Sequence, residues 1–238
     1  PAWYAVQALP YLMEFPHACA EQVFSRYYAN RLAERLLTQR PAIAKVFAEW
    51  RSSSPDAFLG QLEKDPGLKN VLLAETPWVV NARNDRERKE RIARLFDTER
   101  MAEEEEAALG ELHDMQLPSG AWPWWNGMRE DRWITQHIVA GLGHLEALKA
   151  ADPRPDGKAR AMFERAVQWL DAEVARDFQR LQHDLSKEDL DRWTPGFTEI
   201  QYLYARSFYL RAPFGGPTTA ALSFYKERLA HTWMAYGL

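Results

Sequence analysis

Gln116-Leu117-Pro118-Ser119-Gly120-Ala121-Trp122 is the stretch on which the fold turns. Leu109, Leu112 and Met115 precede it at helical spacing, so a helix runs into Gln116 and must end at Pro118. A glutamine at a helix end has both an acceptor and two donors with which to tie down the backbone of the following turn. Gly120 permits the positive φ that a tight reversal needs, and Trp122 is large enough to pack back over the helix it follows. Trp124, Trp125 and Trp133 extend the aromatic cluster and read as loop and core packing.

Outward from this turn the apolar period stays helical. Ile134, Ile138, Leu142 and Leu145 predict one helix face, and Phe163, Val167, Leu170, Val174, Phe178 and Leu181 predict a long amphipathic helix opened by Asp156-Gly157. Phe24, Tyr28, Leu32 and Leu36 recur every fourth position after Cys19 and predict another buried face. Ile200, Leu203, Ser207 and Leu210 predict a further one, as do Leu222, Tyr225, Leu229, Trp233 and Tyr236. Strand candidates are limited to Val71-Leu72-Leu73 and Trp78-Val79-Val80, and the second follows Thr76-Pro77, an N-cap and first-turn proline. Breaks fall at Ser53-Ser54-Pro55, Asp65-Pro66-Gly67, Pro118-Ser119-Gly120, Asp152-Pro153-Arg154-Pro155, Pro195-Gly196 and Pro213-Phe214-Gly215-Gly216-Pro217. No break is long enough to be a flexible linker, so residues 1–238 read as one all-α domain in which Phe24, Tyr28, Trp122, Leu142, Phe163, Val167 and Leu170 are buried. The acidic run from Glu103 to Glu106 reads as a solvated helix face.

Composition narrows the function. The 238 residues are 46% hydrophobic and 27% charged, which excludes disorder and fibre, and a net charge of -4 leaves no basic stripe for nucleic acid. No run approaches the roughly 18 apolar residues of a membrane span, so this domain is expected to make no membrane contact. Pro1-Ala2-Trp3 carries neither an initiator Met nor a signal pattern, and the chain reads as a piece of something longer. Cys19 is the single cysteine, so no disulfide can form within the chain.

Chemistry concentrates at the N-terminal end. Pro16-His17-Ala18-Cys19-Ala20-Glu21-Gln22 introduces the first long helix and sets Cys19 in its first turn, where exposed N–H groups favour a thiolate. Residues three apart on a helix have Cβ atoms roughly 5–6 Å apart, so the sulfur of Cys19 can approach the carboxamide carbon of Gln22. Loss of ammonia would close a Cys–Gln thioester, a stored acyl electrophile that an incoming nucleophile opens with release of the thiolate. Glu21 lies between the pair, and His17, two residues before Cys19, is a candidate thiolate partner.

Cys19-Ala20-Glu21-Gln22 resembles the CxEQ thioester motif of the alpha-macroglobulin and complement superfamily. Its flanks, Tyr11-Leu12-Met13-Glu14-Phe15-Pro16 and Ser25-Arg26-Tyr27-Tyr28-Ala29-Asn30, are similar to the bacterial alpha-macroglobulin branch, as are Leu72-Leu73-Ala74-Glu75-Thr76-Pro77-Trp78 and Leu95-Phe96-Asp97. Gln116 to Trp122 resembles the QxxxGxW helix-end motif of alpha/alpha toroids, a fold shared by terpene cyclases, prenyltransferase beta subunits and thioester domains. The resemblance runs essentially end to end. It implies a thioester domain with an alpha/alpha toroid that stops short of its last helices after Tyr236-Gly237-Leu238, leaving an apolar edge. It further implies a large periplasmic parent, often lipid-anchored, whose other domains shield the thioester until bait cleavage exposes it to trap proteases covalently. Such a domain is no turnover enzyme and needs no cofactor or metal. Two departures stand out: Ala18 and Ala20 replace the family's frequent glycines, and Thr135 lines up where some complement members carry a histidine that directs transfer to hydroxyls. The resemblance therefore implies transfer to amines, with Thr135 a possible modulator and His137 a structural or surface histidine on a different face.

Two other classes compete. An enzyme on the same toroid would want a DxDD acid motif, which Asp189-Leu190-Asp191 and Arg129-Glu130-Asp131 do not supply, or a zinc set of Asp, Cys and His. A polysaccharide-cleaving toroid remains in the same class, and a bare helical scaffold is the third reading, should no thioester form.

Overall fold

The computed structural model describes residues 19–39, 98–148, 157–210 and 214–236. They form seven helices: α1 (Ala20–Gln39), α2 (Thr98–Met115), α3 (Arg132–Ala147), α4 (Gly157–Asp184), α5 (Lys187–Arg192), α6 (Phe197–Ser207) and α7 (Gly216–Tyr236). Helix accounts for 79% of the described residues and no strand occurs among them, so the all-α class holds. The strand candidates at 71–73 and 78–80, the breaks at 53–55, 65–67 and 152–155, and His17 and Ala18 lie outside the described residues. The chain gathers into two compact units: described residues 22–39 and 98–110 belong to one, and Cys19–Glu21 with the chain from Glu111 onward to the other.

In the first unit, α1 buries Val23, Phe24, Tyr27, Ala29, Asn30, Ala33 and Leu37. Tyr28 and Leu32, expected on the buried face with Phe24, are only half-buried. The reason is geometric: each step of four residues advances about 40° beyond a full turn, so a strict fourfold line rotates out of the core, whereas alternating steps of three and four stay in it. Arg31, 8% exposed, reaches Glu105 at 3.1 Å and Glu34 at 2.7 Å. Burial works against its charge, but the two carboxylates outweigh it and hold the guanidinium above its usual pKa. The acidic run is thus not uniformly a solvated face; Glu103 and Glu106 are exposed while Glu105 turns to Arg31.

In the second unit, the turn at 116–122 is built as its chemistry requires. Gln116 Nε2 donates to the carbonyls of Gly120 at 2.8 Å and Met162 at 2.7 Å, joining the end of α2 to its own turn and to α4. Gly120 has φ +95°, and a Cβ there would stand 2.6 Å from the Arg165 carbonyl oxygen. Trp122 is fully buried, and its indole N–H donates to the Leu112 carbonyl at 2.8 Å, which folds the ring back over the last turns of α2. Downstream, the Asp131 side chain caps α3 by accepting the Ile134 N–H at 3.0 Å. Ile134, Ile138, Leu142 and Leu145 all face the core as their spacing predicts. So do Val167, Leu170, Val174 and Phe178 of α4, although Phe163 and Leu181 at its two ends are only half-buried. α3 packs on α6 and α4, and α7 packs on α4 and α6.

Helix α6 presents the opposite face from the one its apolar residues predict. Ile200 is 42% and Leu210, just beyond the helix, 60% exposed, Ser207 is exposed and Leu203 half-buried, while Tyr202, Ala205 and Arg206 are buried. The cause is Asp171 on α4. Its carboxylate accepts from the Tyr202 hydroxyl at 2.6 Å and from Arg206 Nε and Nη2 at 3.0 and 3.1 Å, and its backbone carbonyl accepts from Thr218 of α7 at 3.2 Å. A buried carboxylate without these donors would cost several kcal/mol, more than turning two aliphatic side chains outward. Burial, followed by Asp171, pushes the Tyr202 phenol well above its ordinary pKa and keeps it a donor. Gly143 of α3 completes the contact, since a Cβ there would lie 2.4 Å from the Phe208 Cβ. Helix α7 follows its prediction at Leu222 and Tyr225, holds Leu229 half-buried, and departs from it at Trp233, which is 60% exposed.

Two predictions follow from these contacts. Gly120→Ala meets both a left-handed φ and the Arg165 carbonyl, whereas Gly127→Ala, with φ +84° and open space at the Cβ position, meets only the first. Urea unfolding should therefore show about 1 kcal/mol lost at Gly127 and at least about 2 kcal/mol more at Gly120. Asp171→Ala deprives Arg206 and Tyr202 of their shared carboxylate and should cost about 3–5 kcal/mol in the same measurement.

Candidate functional site

The sequence candidates meet the structure at the start of α1. Cys19 immediately precedes the helix, one residue earlier than the first turn, and is 4% exposed. It occupies the N-cap position, and Gln22 is then N3. In a capping box the side chains of these two positions bond each other's backbone N–H groups, so N-cap and N3 are neighbouring positions at a helix start. Ala20 is helical and 0% exposed, so an alanine meets no backbone demand for glycine there. Its N–H donates to the Trp124 carbonyl at 3.0 Å, so the segment following the Gln116–Trp122 turn satisfies one of the orphan donors at the helix start. Gln22 is half-buried, and its Oε1 is shut off from solvent with no hydrogen-bond partner among the described residues.

Thr135, the position set against a transfer histidine, is fully buried and committed to backbone. Its hydroxyl donates to the Asp131 carbonyl at 2.7 Å and accepts from the Trp122 N–H at 3.0 Å. It is a clamp on the turn, its proton and one lone pair both taken up by backbone.

His137, read from the sequence as a structural or surface histidine, is half-buried on α3. It stacks on Trp133 at 5.2 Å and 4°, and Trp133 stacks on Trp124 at 5.2 Å and 6°. The ladder thus ends on the residue whose carbonyl holds Ala20. Burial lowers the His137 pKa below 6.5, and the charge of Glu21 partly offsets that. Of the expected modulators, Glu21 is therefore near enough to be felt by His137. The ladder was missed by sequence reasoning. Its signal was the i,i+4 spacing of Trp133 and His137, which aligns the two rings on one helix face. Trp125 and Met128, in the loop between Trp124 and α3, are 47% and 52% exposed.

Among the described residues, no three His, Cys, Asp or Glu converge as metal ligands, and no helix is long and apolar enough to cross a membrane. No protein family, curated protein or solved structure matches the chain.

The histidine gives a signed pH prediction. The unfolded chain takes up a proton near 6.5 and the folded chain only at lower pH, so acidification below 6.5 costs stability. In an NMR titration His137 should titrate below 6.5, and Glu21→Gln should lower its midpoint further.

Proposed function

We propose that the chain is a thioester domain of the bacterial alpha-macroglobulin type, an alpha/alpha toroid whose Cys19 and Gln22 form the reactive bond. The observation that carries this reading is the setting of Cys-Ala-Glu-Gln at a helix start: a buried thiol at N-cap, and at N3 a carboxamide whose oxygen is sealed from water without a donor among the described residues. A primary amide oxygen is a strong acceptor, and burying one unpaired costs about 1–3 kcal/mol. A thioester carbonyl is a weaker acceptor, so closing the bond relieves part of that cost. Burial also protects an acyl electrophile from hydrolysis. The turn at 116–122, which anchors Trp124 and through it Ala20, supports the toroid reading.

In this mechanism the Cys19 sulfur attacks Cδ of Gln22, the tetrahedral adduct collapses, and ammonia leaves with the proton from the thiol. An amine later attacks the same carbon, the thiolate departs, and a proton from the amine returns to solvent or sulfur, leaving an amide on the former glutamine. Thr135 is occupied by backbone, so hydroxyl acceptors gain no activation from it, and amines such as protease lysines are the preferred acceptors. Each domain reacts once. In the parent protein the acceptor is an attacking protease, other domains shield the bond beforehand, and the compartment is the periplasm.

Intact mass tests the reading. The closed bond lowers the mass by about 17 Da, one ammonia, and hides the thiol from alkylating reagents. Methylamine then releases one thiol per chain and adds to Gln22, and Cys19→Ser abolishes both effects. Free alkylation of untreated, freshly made parent protein with no methylamine adduct leaves the scaffold reading in its place.

A further inference from the structure

The loop between the Gln116–Trp122 turn and α3 is closed at its base by the Asp131 N–H, which donates to the Trp122 carbonyl at 3.0 Å. Within it Trp125 to Glu130 are exposed, and the Met128 N–H folds the tip by donating to the Trp125 carbonyl at 3.1 Å. Such a loop has little burial to hold its backbone still. Trp124 nonetheless presents its carbonyl at one place, where it accepts the Ala20 N–H at 3.0 Å. Its side chain is held by α3. The rings of Trp124 and Trp133 lie 6° from parallel with 5.2 Å between centroids, and Trp133 in turn stacks on His137 at 4° and 5.2 Å. Parallel rings at this separation are offset-stacked, an arrangement that aromatic pairs favour. Trp133 and His137 are one turn apart on α3, whose Ile134 and Ile138 are fully buried, so the ladder is mounted on an anchored helix.

The hydrogen bond that this ladder steadies bears on Cys19. A peptide unit is planar, so the plane that contains the Ala20 N–H also contains Cα of Cys19. Fixing that N–H on the Trp124 carbonyl orients the link between Cys19 and the first residue of α1, and leaves the thiol only rotations about the bonds of Cys19 itself. Ala20 is 0% and Cys19 4% exposed, whereas Trp133 is 37% exposed, so the ladder runs from the surface to the buried start of α1. We infer that Trp133 is a positioning residue for the reactive bond: through Trp124 and the Ala20 N–H it holds Cys19 where the thioester proposed above forms and lasts. The inference rests on that reading for its chemistry and on the ladder for its geometry. Trp133 acts through its stack on Trp124 and takes no part in making or breaking bonds. The loss that this hold slows is hydrolysis, in which water adds to the acyl carbon and the Cys19 thiolate leaves. The protons of the water pass to sulfur and solvent, and a glutamate stands in place of Gln22.

The test follows the ladder with two readouts. Amide hydrogen exchange by NMR on the chain reads Ala20 directly. Trp133→Ala should speed its exchange by roughly two- to tenfold, the worth of one stacked aromatic pair, while the Val174 amide on α4 keeps its rate. Trp133→Phe, which leaves a ring in the stack, should restore most of the protection, and Trp133→Leu serves in place of the alanine variant should that one unfold. In freshly made parent protein, the alanine variant should shorten the half-life of the methylamine-released thiol by a similar factor, again with recovery in Trp133→Phe. Unchanged exchange at Ala20, or a rise shared by Val174, overturns the positioning role, and so does an unchanged half-life once the Ala20 amide is loosened. A wild-type parent with no methylamine-released thiol removes the thioester reading and the inference with it. That failure is told apart from the others because Ala20 exchange still responds to Trp133.

Discussion

Asp171 is the constraint around which the second unit is arranged. Its carboxylate takes three hydrogen bonds from two residues of α6, and its backbone carbonyl takes one from α7. A buried charge cannot be left short of donors, so the rotation of α6 is set by where Tyr202 and Arg206 must go. Phe197, Ile200 and Tyr204 are carried to the surface as a result, at 68%, 42% and 53% exposure. The close approach of Gly143 to Phe208 follows from the same docking. A similar exchange of apolar burial for ionic pairing occurs on a smaller scale in the first unit, where Arg31 lies inside and meets Glu105.

The second unit joins its turn to its candidate chemistry through backbone. Gln116 ties the turn to α4, Trp122 covers α2, and Thr135 holds the Trp122 amide. Two residues after the close of that motif, the Trp124 carbonyl has a fixed position from which to receive the Ala20 N–H. The residues that resemble a fold signature and those that resemble a reactive site are thereby connected by one hydrogen bond. The aromatic ladder of Trp124, Trp133 and His137 stiffens the same region, since stacked rings resist independent motion.

How much of this was legible in the sequence differs from element to element. The helices α3 and α4 were readable in both position and face, because Ile134, Ile138, Leu142 and the set Val167, Leu170, Val174 and Phe178 bury aliphatic or aromatic side chains at helical spacing, and the buried polar residues Thr135, Gln136 and Asp171 lie beside that stripe without displacing it. The roles of Gln116, Gly120 and Trp122 were readable too, being local: hydrogen-bonding capacity, φ freedom and ring size act within one turn. The pairing of Cys19 with Gln22 as candidates was likewise drawn from their spacing of three residues in the sequence alone. What only the tertiary structure decided was the orientation of α6, the inward course of Arg31, the commitment of Thr135 to backbone and the stacking of Trp124 on Trp133. Each depends on a partner far away in sequence, such as Asp171, Glu105, Trp122 or Trp124. Hydrophobic periodicity reports the average preference of a face for water, but a buried charge or amide selects its partner by geometry, and that selection overrides the average wherever the two disagree.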